Sequence, residues 1–254
     1  MKRMIFTFFL ILNVSIVWAD PPSNPVQSFD RAKVLARDFV YKDHRKTIYC
    51  NCDYEAAGKS GGVIDASECG YTARANLSRG KRVEWEHIVP AYYFGHSRAC
   101  WKDGDPRCVK KGKPYRGRAC CSKVDKFFSA VEADLHNLAP SVGELNGDRS
   151  NLPYGIINED MHQYGKCEFK VTKTLVEPRK SIRGDVARVW IYMSETYSIP
   201  LSESDKEMFS AWSLGDPVDE WEVERDRRIN TVQGNHNPHV VRDINPSQCS
   251  ATSN

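Results

Sequence analysis

Nine cysteines in a chain of 254 residues, all of them beyond residue 49, constrain this sequence more than any other feature. They are Cys50, Cys52, Cys69, Cys100, Cys108, Cys120, Cys121, Cys167 and Cys249. Whether they bridge or bind metal depends on the compartment, and the N-terminus addresses that. Lys2 and Arg3 precede an almost wholly apolar run over 5–17, and Trp18-Ala19-Asp20 offers a cut after Ala19. This is the pattern of a secretory signal peptide over 1–19. The run falls short of the roughly 20 residues that span a bilayer. Exported thiols meet an oxidising environment, so the expectation is a disulfide framework. Zinc is disfavoured, because the sequence holds a Cys-x-Cys and a vicinal pair but no Cys-x-x-Cys. An odd count leaves at least one cysteine free or bridged to another chain, and spacing alone leaves the connectivity open.

The chain from 20 to 254 suits one domain with one sizeable core. Removing Lys2 and Arg3 leaves 34 basic residues against 33 acidic, a net charge of +1. Any binding of a polyanion must therefore come from local patches. Residues 20–27 are Pro-rich and read as a flexible lead-in. Ser28 caps a helix over 28–42 whose apolar face is Phe29, Ala32, Ala36, Phe39 and Val40. Residues 47–52 read as extended, and 82–89 as a strand ended by Pro90. Ser122 and Asp125 open a helix running to Leu135, a short extended piece follows at 134–138, and Pro140 sits in the first turn of a helix over 140–150. A stripe from Ile182 to Tyr197, a Ser-x-x-Asp start at Ser202, and a stripe from Val218 to Val232 stopped by Gly234 give three further helices. The fold class expected is α+β, a mostly helical single domain with a small antiparallel sheet. The aromatic stripes belong to the core and call for no cofactor.

Chemistry concentrates in two places. Glu86 and His87 stand side by side near a strand end, and 132–151 packs Glu132, His136, Asn137, Glu144, Asn146, Asp148 and Arg149 between apolar positions. On a helix from Pro140, Val142 and Leu145 face the core, while Asn146 and Arg149 share the adjacent face. A strand ending in Glu-His, a second strand and a helix presenting Asn is a ββα arrangement able to bring a base and a metal ligand to one phosphate. At this point the chain resembles the endonuclease I family of bacterial periplasmic and secreted nucleases. The matching pieces are Tyr49-Cys50-Asn51-Cys52, Cys69-Gly70-Tyr71, WEHIVPA (85–91), FGHSRACW (94–101), EADLHNLAPSVGELNGDRSN (132–151), YMSETY (192–197), WEVERD (221–226) and VQGN (232–235).

The resemblance implies a ββα-metal active site. His87 would be the general base, and Glu86 and Asn146 the ligands of one divalent cation, typically Mg2+, with Ca2+ or Mn2+ as substitutes. Arg107 would hold the phosphate, although Asp105-Pro106 precede it where the family more often has Gly-Gly. Glu132 would support the site, and His96, His136 and Asn137 would be structural or orient ligands. His44, His162, His236 and His239 belong to no constellation and read as surface residues. Val223 follows Trp221-Glu222 where family members often carry a cysteine, which implies one bridge lost or rewired.

The implied activity is hydrolysis of DNA, with RNA as a second candidate substrate, at low sequence preference and leaving 5′-phosphate ends. It would take place in the periplasm or outside the cell, with no membrane attachment after leader removal and no obligate protein partner. The chemistry suits the roles: an imidazole with a reference pKa of about 6.5 takes a proton near neutral pH, and oxygen ligands suit a hard cation. One geometric demand stands. In a regular strand Glu86 and His87 point to opposite faces, so serving one site requires a departure from regular pleating.

The loop 102–118, with seven basic and two acidic residues, reads by itself equally as a backbone contact or as a solvated charged loop, and the resemblance with the position of Arg107 favours contact. The competing functions are a secreted nucleic-acid-binding protein of the same fold without catalysis, and a disulfide-stapled structural module. The first should have lost Glu86, His87 or Asn146, and all three are present. The second leaves 132–151 unexplained.

Overall fold

The computed structural model describes residues 22–59 and 61–241. The proposed leader, Cys249 and the rest of the C-terminus lie outside them. Helix α1 (Phe29–Leu35) is capped as its sequence predicts, Ser28 Oγ accepting from the Arg31 amide, and continues as a π-turn over Ala36–Val40. Strands β1 (Tyr54–Ala57) and β2 (Gly61–Ile64) form a hairpin. Strand β3 (Val83–His87) leads to helices α2 (Arg118–Val124) and α3 (Lys126–Glu132), then to β4 (Leu138–Val142) and α4 (Gly143–Arg149). Three longer helices follow: α5 (Arg183–Tyr197), α6 (Glu203–Gly215) and α7 (Glu220–Gln233). The domain is α+β and mostly helical, with two-stranded antiparallel sheets among its described residues. No described helix is long and apolar enough to cross a membrane.

Helix α5 is the centre of the core. Val186, Ala187, Val189, Trp190, Tyr192 and Met193 are buried on it, and Trp190 stacks on Phe209 of α6 at 5.5 Å. Both α6 and α7 begin with a capping box, Ser202 with Asp205 and Asp219 with Glu222. Gly234, at φ 78°, ends α7. The stretch read as a lead-in is tied down there: the Asn24 amide donates to Gln233 O and Ser23 Oγ to Gly234 O, and Val26 is buried.

Four local expectations need correction. Residues 47–52 are a closed turn. Thr47 N donates to Cys52 O, Cys52 N to Thr47 Oγ1, and Asn51 adopts φ 56°. Asn tolerates that conformation, and Cys50 and Cys52 are drawn to different partners, Cys167 and Cys69. The expected helix from Ser122 breaks at Asp125, whose side chain caps α3 through the Phe128 amide, while Ser122 Oγ donates to Arg118 O and Glu132 Oε2. The second strand lies later than predicted, at 138–142. Pro140 sits within it, not in a helix. It pairs opposite Trp85 and turns its carbonyl outward to the Ile48 amide, so the ladder needs no donor from it.

A buried polar cluster holds 134–138 in place ahead of β4. The Asp134 carboxylate accepts from Tyr192 and Tyr197 hydroxyls and from Gln233 Nε2. Arg225 donates to the carbonyls of Leu135, His136 and Leu138 and to the Tyr41 hydroxyl. His136 is fully buried there, its Nε2–H donating to Asn235 O while Nδ1 has no hydrogen-bond partner. Burial lowers its pKa against the opposing pull of Asp134 and Asp226.

Four disulfides join Cys50 to Cys167, Cys52 to Cys69, Cys100 to Cys121 and Cys108 to Cys120. The first spans 117 residues and the second 17. On loop-closure entropy, replacing Cys50 and Cys167 by serine should destabilise by about 1.7 kcal/mol more than replacing Cys52 and Cys69. Urea unfolding of the two double variants measures this, and equal losses would contradict it.

His136 gives a second expectation. The unfolded ring titrates near 6.5 and the folded one lower, so below about pH 6.5 the unfolded chain binds more protons. The stability that neutral His136 contributes is complete above that value and is lost as pH falls. Urea unfolding at pH 7 and pH 5 should show a smaller acid loss for His136→Gln than for the parent, and parallel losses would rule this out.

Candidate active site

An open cleft of about 380 Å³ lies along β3, bordered by Phe29, Lys33, Gly61, Val83 through His87, Pro90, Ala91, Arg118, Asn146, Arg149 and Ser150. Glu86, His87 and Asn146 are thus brought to one space. The strand pairs regularly through both neighbours, Glu86 with Ala139 and His87 with Leu138. The demand for irregular pleating is therefore not met, yet both residues line the cleft. Five successive residues of β3, Val83 through His87, border it.

His87 is fixed from three sides. Its Nε2 lies 2.8 Å from the Glu132 carbonyl, which can only accept, so Nε2 carries the proton and Nδ1 is left as the basic atom. Phe29 packs on the ring at 4.7 Å and Phe94 at 6.5 Å. Burial, and then the positive charge of Arg118, lower its pKa to about 3. The imidazole is neutral at any physiological pH, where the sequence alone suggested a group titrating near 6.5.

Glu86 is also buried. Its Oε1 accepts from the Tyr49 hydroxyl at 2.7 Å and lies 3.4 Å from Arg149 Nη1. Burial raises its pKa, opposed by Arg149 and the Tyr49 hydrogen bond. Asn146 donates Nδ2 to Glu84 Oε2 at 3.3 Å, which leaves its amide oxygen as the free donor atom. Glu84 is itself held by Arg79 and Arg82. Beside Asn146, a side chain on Gly147 would push the Arg79 guanidinium from its place against Glu84. A buried carboxylate with one oxygen engaged and an amide held by Glu84, both lining the cleft, fit a hard divalent cation that keeps part of its water shell. Among the described residues no group of three or more His, Cys, Asp or Glu is placed to hold a metal ion, so a cation here would rest on Glu86, Asn146 and water.

Arg107 is not brought to the cleft. Its guanidinium is paired bidentately with Asp105 on an exposed loop. Arg118 stands in the cleft instead, partly exposed, with Nε donating to Glu132 Oε1. Glu132 therefore acts through others: its carboxylate aims Arg118 and its carbonyl orients His87. Arg118 received no role from the sequence because the chain holds several arginines between Cys100 and Cys120, and only the fold shows that the one opening the helix that ends at Val124 borders the cleft. Tyr49 and Arg149, both within the matching pieces, were given no role there, and both hold Glu86. Asn137 is structural as expected, bonding both the amide and the carbonyl of Val89. Of the histidines read as surface residues, His44 stacks on Trp221 at 3.7 Å and His239 pairs with Glu195.

A family model described as Endonuclease I matches residues 29–243. The chain belongs to the endonuclease I family. It is 40% identical over 219 residues to the protein named Endonuclease-1 of Buchnera aphidicola subsp. Acyrthosiphon pisum (strain APS), covering 85% of this chain and 82% of that one. It is 37% identical over 245 residues to an Extracellular deoxyribonuclease of Aeromonas hydrophila, covering 95% and 99%. A Periplasmic deoxyribonuclease of Aeromonas hydrophila is 38% identical over 227 residues, with 87% and 90% covered. As a member of the endonuclease I family this chain is an endonuclease acting on nucleic acid.

The exchange of arginines can be tested directly. Arg118→Ala should lower kcat/KM on duplex DNA on the order of 10²- to 10³-fold, the usual cost of one donor to developing charge. Arg107→Ala should change it by no more than about threefold, as for a surface pair. The reverse ranking in steady-state kinetics would return the role to Arg107.

Proposed function

We propose that this exported endonuclease hydrolyses the phosphodiester bonds of DNA with divalent-metal assistance and low sequence preference, leaving 5′-phosphate and 3′-hydroxyl ends. RNA carries the same linkage and is the second substrate of the proposal. The single observation that carries it is the His87 imidazole. It is neutral, pinned through Nε2–H to the Glu132 carbonyl, and has Nδ1 unprotonated in the cleft that also holds Glu86, Asn146 and Arg118. The named deoxyribonucleases among its relatives point to the same substrate. Like them it works outside the cytoplasm, in the periplasm or the medium.

Arg118 holds the non-bridging oxygens of the phosphate by charge-assisted hydrogen bonds. The phosphate anion drawn beside His87 favours the imidazolium and raises the low pKa of the empty site. Nδ1 takes a proton from water, the water oxygen bonds to phosphorus, and the bond to the 3′ oxygen breaks. That oxygen then takes a proton from solvent. Glu86 and Asn146 would hold the cation, which when bound neutralises charge on the phosphate and the leaving oxygen. Backbone contacts of this kind position a strand without reading its bases.

The test is digestion of plasmid and of RNA by the purified oxidised enzyme, with and without EDTA, beside His87→Ala. Loss of a positioned base should cost at least about 10²-fold with the fold intact by circular dichroism. EDTA should abolish cutting, and the fragments should ligate without kinase treatment. Parental rates for His87→Ala, or undiminished cutting in EDTA, would overturn the mechanism.

A further inference from the structure

The region between Cys108 and Arg118 holds a hairpin that the catalytic site does not use. Val109–Lys110 and Lys113–Pro114 pair antiparallel around Lys111 and Gly112, which both have positive φ, 50° and 76°. A lysine adopts that conformation only at a cost, since turns of this kind favour asparagine or aspartate before the glycine. Lys110, Lys111 and Lys113 are exposed, and no ion pair among the described residues engages them, while nearby Arg107 is neutralised by Asp105. Three adjacent uncompensated ammonium groups repel one another and suit a polyanion.

The hairpin is rigid at its root. Cys108 is bridged to Cys120, and Cys100 to Cys121. The Tyr115 amide donates to Cys108 O, Lys123 Nζ to Arg107 O, and Arg116 to Lys102 O. Cys120 and Cys121 belong to α2, the helix that starts at Arg118 of the cleft. The Cα atoms of Cys108 and Cys120 are 5.5 Å apart. With about 3.3 Å per extended residue beyond Cys108, the turn lies at most about 20 Å from Arg118. That is about six nucleotides of backbone at 3.4 Å each.

We propose that the 109–114 hairpin is a second binding surface for the phosphate backbone of nucleic acid seated in the cleft, engaging it within about six nucleotides of the cut. The inference rests on the phosphodiesterase reading above for what fills the cleft. The mature chain is nearly neutral overall, so affinity for a polyanion has to come from such local charge. A finger already rigidified by two disulfides loses little conformational freedom on binding.

The test compares the parent with the triple variant Lys110→Gln, Lys111→Gln, Lys113→Gln, its fold checked by circular dichroism. Fluorescence anisotropy with a 24-base-pair duplex in EDTA, across a range of NaCl, reads binding. Hydrolysis of bis(4-nitrophenyl) phosphate with Mg2+ reads the cleft alone. Three lost contacts should flatten the slope of log affinity against log salt by about 2 to 3 and weaken binding about tenfold or more at low salt. Hydrolysis of the small ester should be unchanged. An unaltered slope and affinity would overturn the proposal, and so would equal losses on duplex and small ester. A parent that shows the hairpin-dependent slope but cuts nothing would overturn the phosphodiesterase reading and leave the hairpin's role standing.

Discussion

The site depends on one buried guanidinium. Arg149 of α4 donates Nη1 to the His87 carbonyl at 2.9 Å and Nη2 to the Ile88 carbonyl at 2.6 Å, lies 3.4 Å from Glu86 Oε1, and rests over the Tyr154 ring at 4.8 Å. It thereby ties the end of β3 to the helix that carries Asn146, three residues earlier. Without it, two buried carbonyls would lose a hydrogen bond and the Glu86 carboxylate its counter-charge, keeping only the Tyr49 hydroxyl, and breaking a buried ion pair costs about 3–5 kcal/mol. The contact, together with the pairing of β3 and β4, holds His87 and Asn146, which arise on separate elements, beside one cleft.

Around that anchor the charges are arranged so that little is free. Tyr49 takes one oxygen of Glu86, Glu132 takes Arg118, and Glu84 takes Arg79 and Arg82 together with the Asn146 amide. Each pairing fixes the direction of an atom that faces the cleft. Pre-orientation of this kind is what hydrolysis of a slow-reacting ester needs, because no reorganisation remains at the moment of bond breaking. The disulfides serve the same end indirectly. Cys50–Cys167 and Cys52–Cys69 lock the turn that presents Tyr49 to Glu86, and the pair at Cys120 and Cys121 anchors the helix that presents Arg118.

Much of the fold was legible because local rules and tertiary demands agreed. Ser28, Ser202 and Asp219 cap helices, Gly234 stops one, and the stripe on α5 is the core. The strand over 83–87 and the convergence of Glu86, His87 and Asn146 were also readable. The errors fell where a long-range partner overrode a local signal. A β-rich hexapeptide at 47–52 became a turn because its two cysteines are drawn to separate bridges. Pro140 reads as a helix start, but its outward carbonyl found the Ile48 amide and its missing donor was not needed. Asp125 outcompeted Ser122 as a cap, because the Ser122 hydroxyl is held by Arg118 O and Glu132.

The sequence by itself determined the family, the disulfide-bonded character, the helical architecture and the three residues that meet in the cleft. These follow from short-range patterns and from the order of motifs. The tertiary structure decided which arginine borders the cleft, which nitrogen of the His87 imidazole carries the proton, and that the ring is neutral. Those properties depend on burial and on carbonyls and charges brought from distant segments, such as the Glu132 carbonyl 45 residues from His87. Linear order carries no measure of desolvation, so a histidine that titrates near 6.5 as a free side chain becomes, once packed under Phe29 beside Arg118, a neutral base aimed by its neighbours.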